Sequence, residues 1–188
     1  MMKHLKIVRG LCLRRLLTTG FLAAGVIGTT SPLLAVTVGQ PLPELSLNGN
    51  KGGRVDGKPW SSNELKGKVD LVLYVDPDEK DSNTALEKAL KDAGLPREKF
   101  ASVAVINMDA TWLPNVAIQA SLKSKQEKYP DTVYVRDLEK SLVKSWQLKD
   151  DAYVVVAVDQ QGQVFFQDSG KFDQAKISGL IEAIKAKL

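Results

Sequence analysis

The sequence predicts an α/β fold of three layers around a central mixed β-sheet. Three observations carry this. Two apolar runs, Val69–Val75 and ASVAVI at 101–106, are each followed by a segment of helical period. A run rich in valine then folds back on itself through a short polar turn, 152–169. The chain closes on an amphipathic helix.

Taken in order, residues 36–59 are rich in glycine and proline and read as an extended lead-in, with a hairpin expected around Asn50 to Gly53. Trp60 to Lys68 predicts a helical turn stopped by Gly67. The following run, broken only by Asp70, predicts a strand buried on both faces. Thr84 and Glu87 have the spacing of a capping box. Ala85, Leu86, Ala89, Leu90 and Ala93 then make one apolar helical face ending at Gly94.

After the second strand, Pro114 and Asn115 open a second helix that Pro130 stops near Tyr129. A strand at 132–136, the short segment LVKSWQL and the hairpin with its turn at Asp159 to Gly162 follow. In the last helix, capped by Asp173, Phe172 is placed to staple onto Ile177. Ile177, Leu180, Ile181, Ile184 and Leu188 repeat along one face. Two parallel crossovers, an antiparallel hairpin and a terminal helix make the thioredoxin order, and periodicity alone also allows other small three-layer arrangements.

The first 35 residues read as a signal peptide. Lys3, Lys6, Arg9, Arg14 and Arg15 precede the apolar or small run 16–28, which is too short for the roughly 20 residues of a membrane span. A cleavage site near Ala35 leaves one domain, 36–188, in the periplasm, with no membrane anchor. That domain holds 21 basic and 22 acidic residues, a net charge of −1 where the whole chain has +4. A basic surface for nucleic acid is therefore not expected.

The leader also contains the chain's only cysteine, Cys12, and its only histidine, His4. Residues 36–188 thus have no thiol for disulfide exchange or peroxide reduction and no imidazole for a triad or a zinc site. The composition excludes a thiol-disulfide oxidoreductase and a peroxidase.

Short stretches carry a family resemblance. Val38-Gly-Gln-Pro-Leu-Pro43 and Glu64-Leu-Lys-Gly-Lys-Val69 stand ahead of the first buried strand. Lys128-Tyr-Pro130 ends a helix, and Trp146-Gln-Leu148 precedes the VVVAVDQQGQV hairpin of 154–164. With these stretches in this order, the chain resembles the YtfJ family of small exported bacterial proteins. The resemblance implies a thioredoxin-like fold and a periplasmic location, and it implies no activity. In redoxin relatives of that fold a Cys-x-x-Cys pair follows the first buried strand. Glu79 and Ser82 occupy those two places here. The place of the redoxin cis-proline is taken by Asp151, Ala152 and Tyr153.

Candidate functional residues gather where strands end. Asp76, Asp78, Glu79 and Asp81 follow the first buried strand, Asp109 and Trp112 follow the second, and Asp150 and Asp151 precede the late one. Ligands of open α/β sheets bind at that edge. The expectation is a non-redox binding or interaction module whose acidic edge meets an envelope protein or a small ligand.

The alternative is a divalent-cation site, calcium or magnesium held by Asp76, Asp78 and Asp109 without the glycine and closing glutamate of an EF-hand. It could serve a carboxylate enzyme, since LVLYVDPD resembles motif one of haloacid-dehalogenase-type phosphatases. The acids also suit a plain helix start, and Trp60, Trp112 and Trp146 suit partly buried core. A further expectation is that the glycine-rich lead-in pairs with another chain.

Overall fold

A computed structural model describes residues 35–188. The expected signal peptide, with Cys12 and His4, lies outside the described residues. A six-stranded sheet runs in the order β2-β6-β5-β4-β7-β8. Its strands are β2 (Gly52–Arg54), β4 (Val69–Val75), β5 (Phe100–Asn107), β6 (Thr132–Asp137), β7 (Tyr153–Val158) and β8 (Val164–Ser169). β1 (Ser46–Leu47) and β3 (Trp60–Ser61) pair separately as a short antiparallel ribbon.

β4, β5 and β6 are parallel. The hairpin β7–β8 joins antiparallel at β4, with Val72 opposite both Val103 and Val156. Every residue of β4 is buried, as expected for a strand with neighbours on both sides and layers on both faces.

Alternation along the strands builds two cores. Val69, Leu71, Leu73 and Val75 face α1 (Thr84–Asp92), α2 (Asn115–Lys128) and α4 (Gln174–Lys185) through Leu86, Ile118, Leu122, Ile177, Leu180 and Ile184. Val72 and Tyr74 face α3 (Ser141–Trp146) and the lead-in through Leu142, Trp146, Trp60, Leu47 and Leu65. Each fully buried aliphatic or aromatic side chain contributes about 1.5–3 kcal/mol. Trp60 and Trp146 meet edge to face at 6.5 Å, and the Trp146 indole donates to the Pro43 carbonyl at 3.0 Å. Phe172 and Ile177 share the first core, and Asp173 caps α4 by accepting from the Lys176 amide.

Three expectations change. The hairpin around Asn50 to Gly53 is instead a 3-10 turn over Gly49–Lys51 leading into β2, which pairs with β6. Gly52 makes this possible, because a Cβ there would lie 1.9 Å from the Arg136 carbonyl oxygen. Nor does Thr84 cap α1: it is the first helical residue, behind Asn83. The buried Asn83 amide is engaged elsewhere, donating to the Gly170 carbonyl at 2.9 Å and accepting from the Phe172 amide at 2.8 Å. Finally, the lead-in pairs with its own chain. Gly39 and Leu42 donate to Val164 and Gly162, and Val36 donates to Trp146.

Candidate functional site

The strand ends place the expected residues at one edge of the sheet. Asp76 follows β4, and its amide donates to the Ala152 carbonyl at 3.2 Å, so the segment leading into β7 lies beside it. Asp76 is buried and its Oδ1 accepts the Asp78 amide at 2.8 Å, capping the 3-10 turn Pro77–Glu79. Burial pushes its carboxyl above the ordinary range. The Asp78 amide opposes this, and the charges of Asp78, Asp151 and Glu79 reinforce it.

Asp78 is exposed and its Oδ1 accepts from Thr111 Oγ1 at 3.3 Å, which ties the acidic loop to the loop after β5. That second loop carries exposed Asp109 and Trp112, a residue 86% exposed. Val116, the second residue of α2, is 81% exposed, and Leu113, between the two in sequence, is also exposed. Of the three tryptophans two are core, and Trp112 is not. A tryptophan and a valine left in water beside a row of carboxylates form an apolar patch with an acidic surround.

At the same edge lies a polar cluster that only partly announced itself in the sequence. Lys140 Nζ meets Asp150 Oδ2 at 2.7 Å and Asp151 Oδ1 at 3.8 Å. Asn107, the last residue of β5, donates from Nδ2 to Asp150 Oδ1 at 3.1 Å, while its own Oδ1 is buried without a hydrogen-bond partner. Burial pushes the Asp150 carboxyl up, but the bonds from Lys140, the Asp151 amide and Asn107 outweigh it and hold the group below the ordinary range. The same bond to Asp150 raises Lys140.

Asp137, fully buried at the end of β6, accepts from the amides of Ser141 at 2.8 Å and Leu142 at 2.9 Å, which starts α3. It also accepts from the Tyr74 hydroxyl at 3.3 Å, and burial followed by the Asp137 charge pushes that phenol well up. Among the described residues the non-glycine residues in the left-handed region are Lys140, Gln147 and Asp151, which flank α3 and the entry to β7. Such backbone costs about 1–2 kcal/mol per residue.

The edge therefore brings together Asp76, Asp78, Asp109, Trp112, Asp150 and Asp151. Glu79 and Asp81 of the same turn are exposed, and Asp81 pairs with Lys80 at 2.8 Å. Among the described residues no three acidic side chains are grouped closely enough to hold a metal ion. Glu79 and Ser82, at the places of the redox cysteines, are joined to each other: the Ser82 amide and hydroxyl both donate to the Glu79 carbonyl, at 3.0 and 2.7 Å.

Sequence reasoning missed Lys140, Asn107, Asp137 and Tyr74. A polar residue closing an apolar strand, as Asn107 and Asp137 do, is the one signal that could have pointed to them.

A family described as "Bacterial protein of unknown function (YtfJ_HI0045)" matches residues 29–187. The chain belongs to this family. A relative from Escherichia coli (strain K12), "Uncharacterized protein YtfJ", is 25% identical over 135 residues, covering 70% of this chain and 73% of the relative. Among solved structures, a thiol-disulfide isomerase from Corynebacterium glutamicum is similar with a TM-score of 0.55 at 16% identity, over 78% of this chain and 97% of that one. A peroxiredoxin-like protein from Aquifex aeolicus is similar with a TM-score of 0.57 at 14% identity, over 82% and 89%. At these identities the likeness is one of fold, and the fold is thioredoxin-like. This member of the family has no cysteine in residues 35–188. Among the described residues no helix is long and apolar enough to cross a membrane.

Proposed function

We propose that this chain is an exported, periplasmic binding module that holds a basic, partly apolar segment of an envelope protein against the carboxyl edge of its sheet. The single observation that carries the reading is Trp112, 86% exposed in a loop tied by Thr111 to the acidic turn. An aromatic anchor with a charged rim is the usual composition of an interface centre. Asp78, Asp109 and Asp151 supply the rim, so the complementary partner is cationic. Asp150, Lys140 and the strained backbone around α3 hold the rim in place. The absence of cysteine from the domain removes the thiol chemistry of its structural relatives and leaves this edge free for recognition.

The test uses two synthetic peptides with the same apolar residues, one carrying lysines and the other glutamates. The expected result is saturable binding of the lysine peptide, weakened by salt and lost in Trp112→Ala. Equal binding of the glutamate peptide, or full binding by Trp112→Ala, would sink the reading.

A further inference from the structure

At the opposite end of β4 stands a carboxylate with different surroundings. Asp70 is the second residue of the strand, six residues before Asp76, or about 20 Å away along extended chain. It points to the face shared with Val72 and Tyr74, opposite Ala101 of β5 and Val158 of β7. Asp70 is only 4% exposed, and among the described residues its side chain has neither a hydrogen bond nor an ion pair. Every other buried aspartate has partners. Asp76 and Asp137 cap turns, and Asp159 accepts the amides of Gln161 and Gln163.

Asp70 also lines a pocket of about 210 Å³ where the sheet face is left open between Val103, Val133 and the Trp60 indole. Arg54, Lys66 and Lys68 stand among the lining residues, with Glu64 paired to Arg54. The Lys68 ammonium is turned to the Arg97 carbonyl at 2.7 Å, and Lys66 to Asn63 Oδ1 at 3.1 Å. Both are surface bonds that a ligand can replace.

We propose that this pocket is a binding site for a small zwitterion, with a primary ammonium on Asp70, a short apolar body against Trp60 and Val133, and a carboxylate at Lys66 and Lys68. The assignment rests on complementarity. A carboxylate this deeply buried and without a hydrogen bond carries a desolvation cost even where its oxygens reach the pocket, and a donor entering the pocket lowers that cost. Three cations among the lining residues disfavour an amine alone, so the ligand must bring a negative charge with it. Burial pushes the Asp70 carboxyl up to about 7, against a smaller opposing pull from Lys68, so the site is fully charged only in mildly alkaline solution. Nothing in this depends on the carboxyl edge.

The experiment follows the indole N–H signals of the ¹⁵N-labelled full chain at about pH 8, above the Asp70 value. The probes are 4-aminobutyrate, butylamine and butyrate. The proposal expects 4-aminobutyrate to move the Trp60 signal saturably and leave the Trp112 signal in place, with both half-ligands weaker. Asp70→Asn, checked as folded by an unchanged Trp146 signal, should bind about tenfold or more weakly, the loss of a charge-assisted hydrogen bond. No saturable movement of Trp60, equal affinity for butylamine, or unchanged affinity in Asp70→Asn would each overturn it.

Discussion

The two ends of β4 treat a buried aspartate in opposite ways. At the carboxyl end Asp76 gains the Asp78 amide, and its neighbours Asp137 and Asp150 are met by the amides of α3 and by Lys140 and Asn107. At the amino end Asp70 is buried without any bond. Asp76, Asp137 and Asp150 at the carboxyl end are therefore architecture and positioning, whereas Asp70 is a liability to the folded chain that a ligand could relieve.

The sharpest way to break this comparison is Asp70→Val, which suits a buried strand. The Asp70 carboxyl rises from 3.8 to about 7 on folding, so its contribution to stability is highest below pH 4. It falls as pH rises through that interval, and stays at its lowest above it. Lys68, Lys66, Arg54 and Glu64 are the charged groups around it. Urea unfolding should find the valine variant more stable by up to about 4 kcal/mol above pH 7, with the gain shrinking towards pH 4. A gain independent of pH would show that the carboxylate is not strained by burial.

Next in size, Asp137→Ala removes the acceptor for the Ser141 and Leu142 amides and the Tyr74 hydroxyl. The expected loss is about 3 kcal/mol, the cost of buried donors left without partners. A loss under about 1 kcal/mol would mean that α3 finds another cap.

Asp150→Ala should cost only about 1 kcal/mol, because the Lys140 pair is partly open to water. It should also free Lys140 to repel a cationic partner, and a lysine peptide titrated against the variant should bind more weakly than against the parent. Unchanged affinity would take Asp150 out of the binding edge.

The smallest effect on stability belongs to Trp112→Ala. An exposed side chain with no core contact should leave unfolding within about 0.5 kcal/mol of the parent while peptide binding disappears. A large loss of stability would show that Trp112 packs against its own domain.

Much of the fold was legible because it rests on local pattern. The apolar runs of β4 and β5, the Pro114 start and Pro130 stop of α2, and the Asp173 cap of α4 each follow from a few neighbouring residues. The misreadings came where distant chain intervened. Gly52 serves the close approach of Arg136, more than eighty residues away in sequence. Asn83, next to the residue read as a cap, serves Gly170 and Phe172 instead. The carboxyl edge was half visible, since strand ends and acids could be counted, but Lys140 and Asn107 became part of it only through Asp150.

By itself the sequence determined the periodic elements and the kinds of chemistry this domain cannot do. Those depend on residue spacing along the chain and on which side chains are present at all. Only the tertiary structure decided that Trp112 stays in water while Trp60 and Trp146 do not, and that Asp70 is buried without a partner. Burial and partnership are set by what the rest of the chain brings near a residue, and no local pattern contains that.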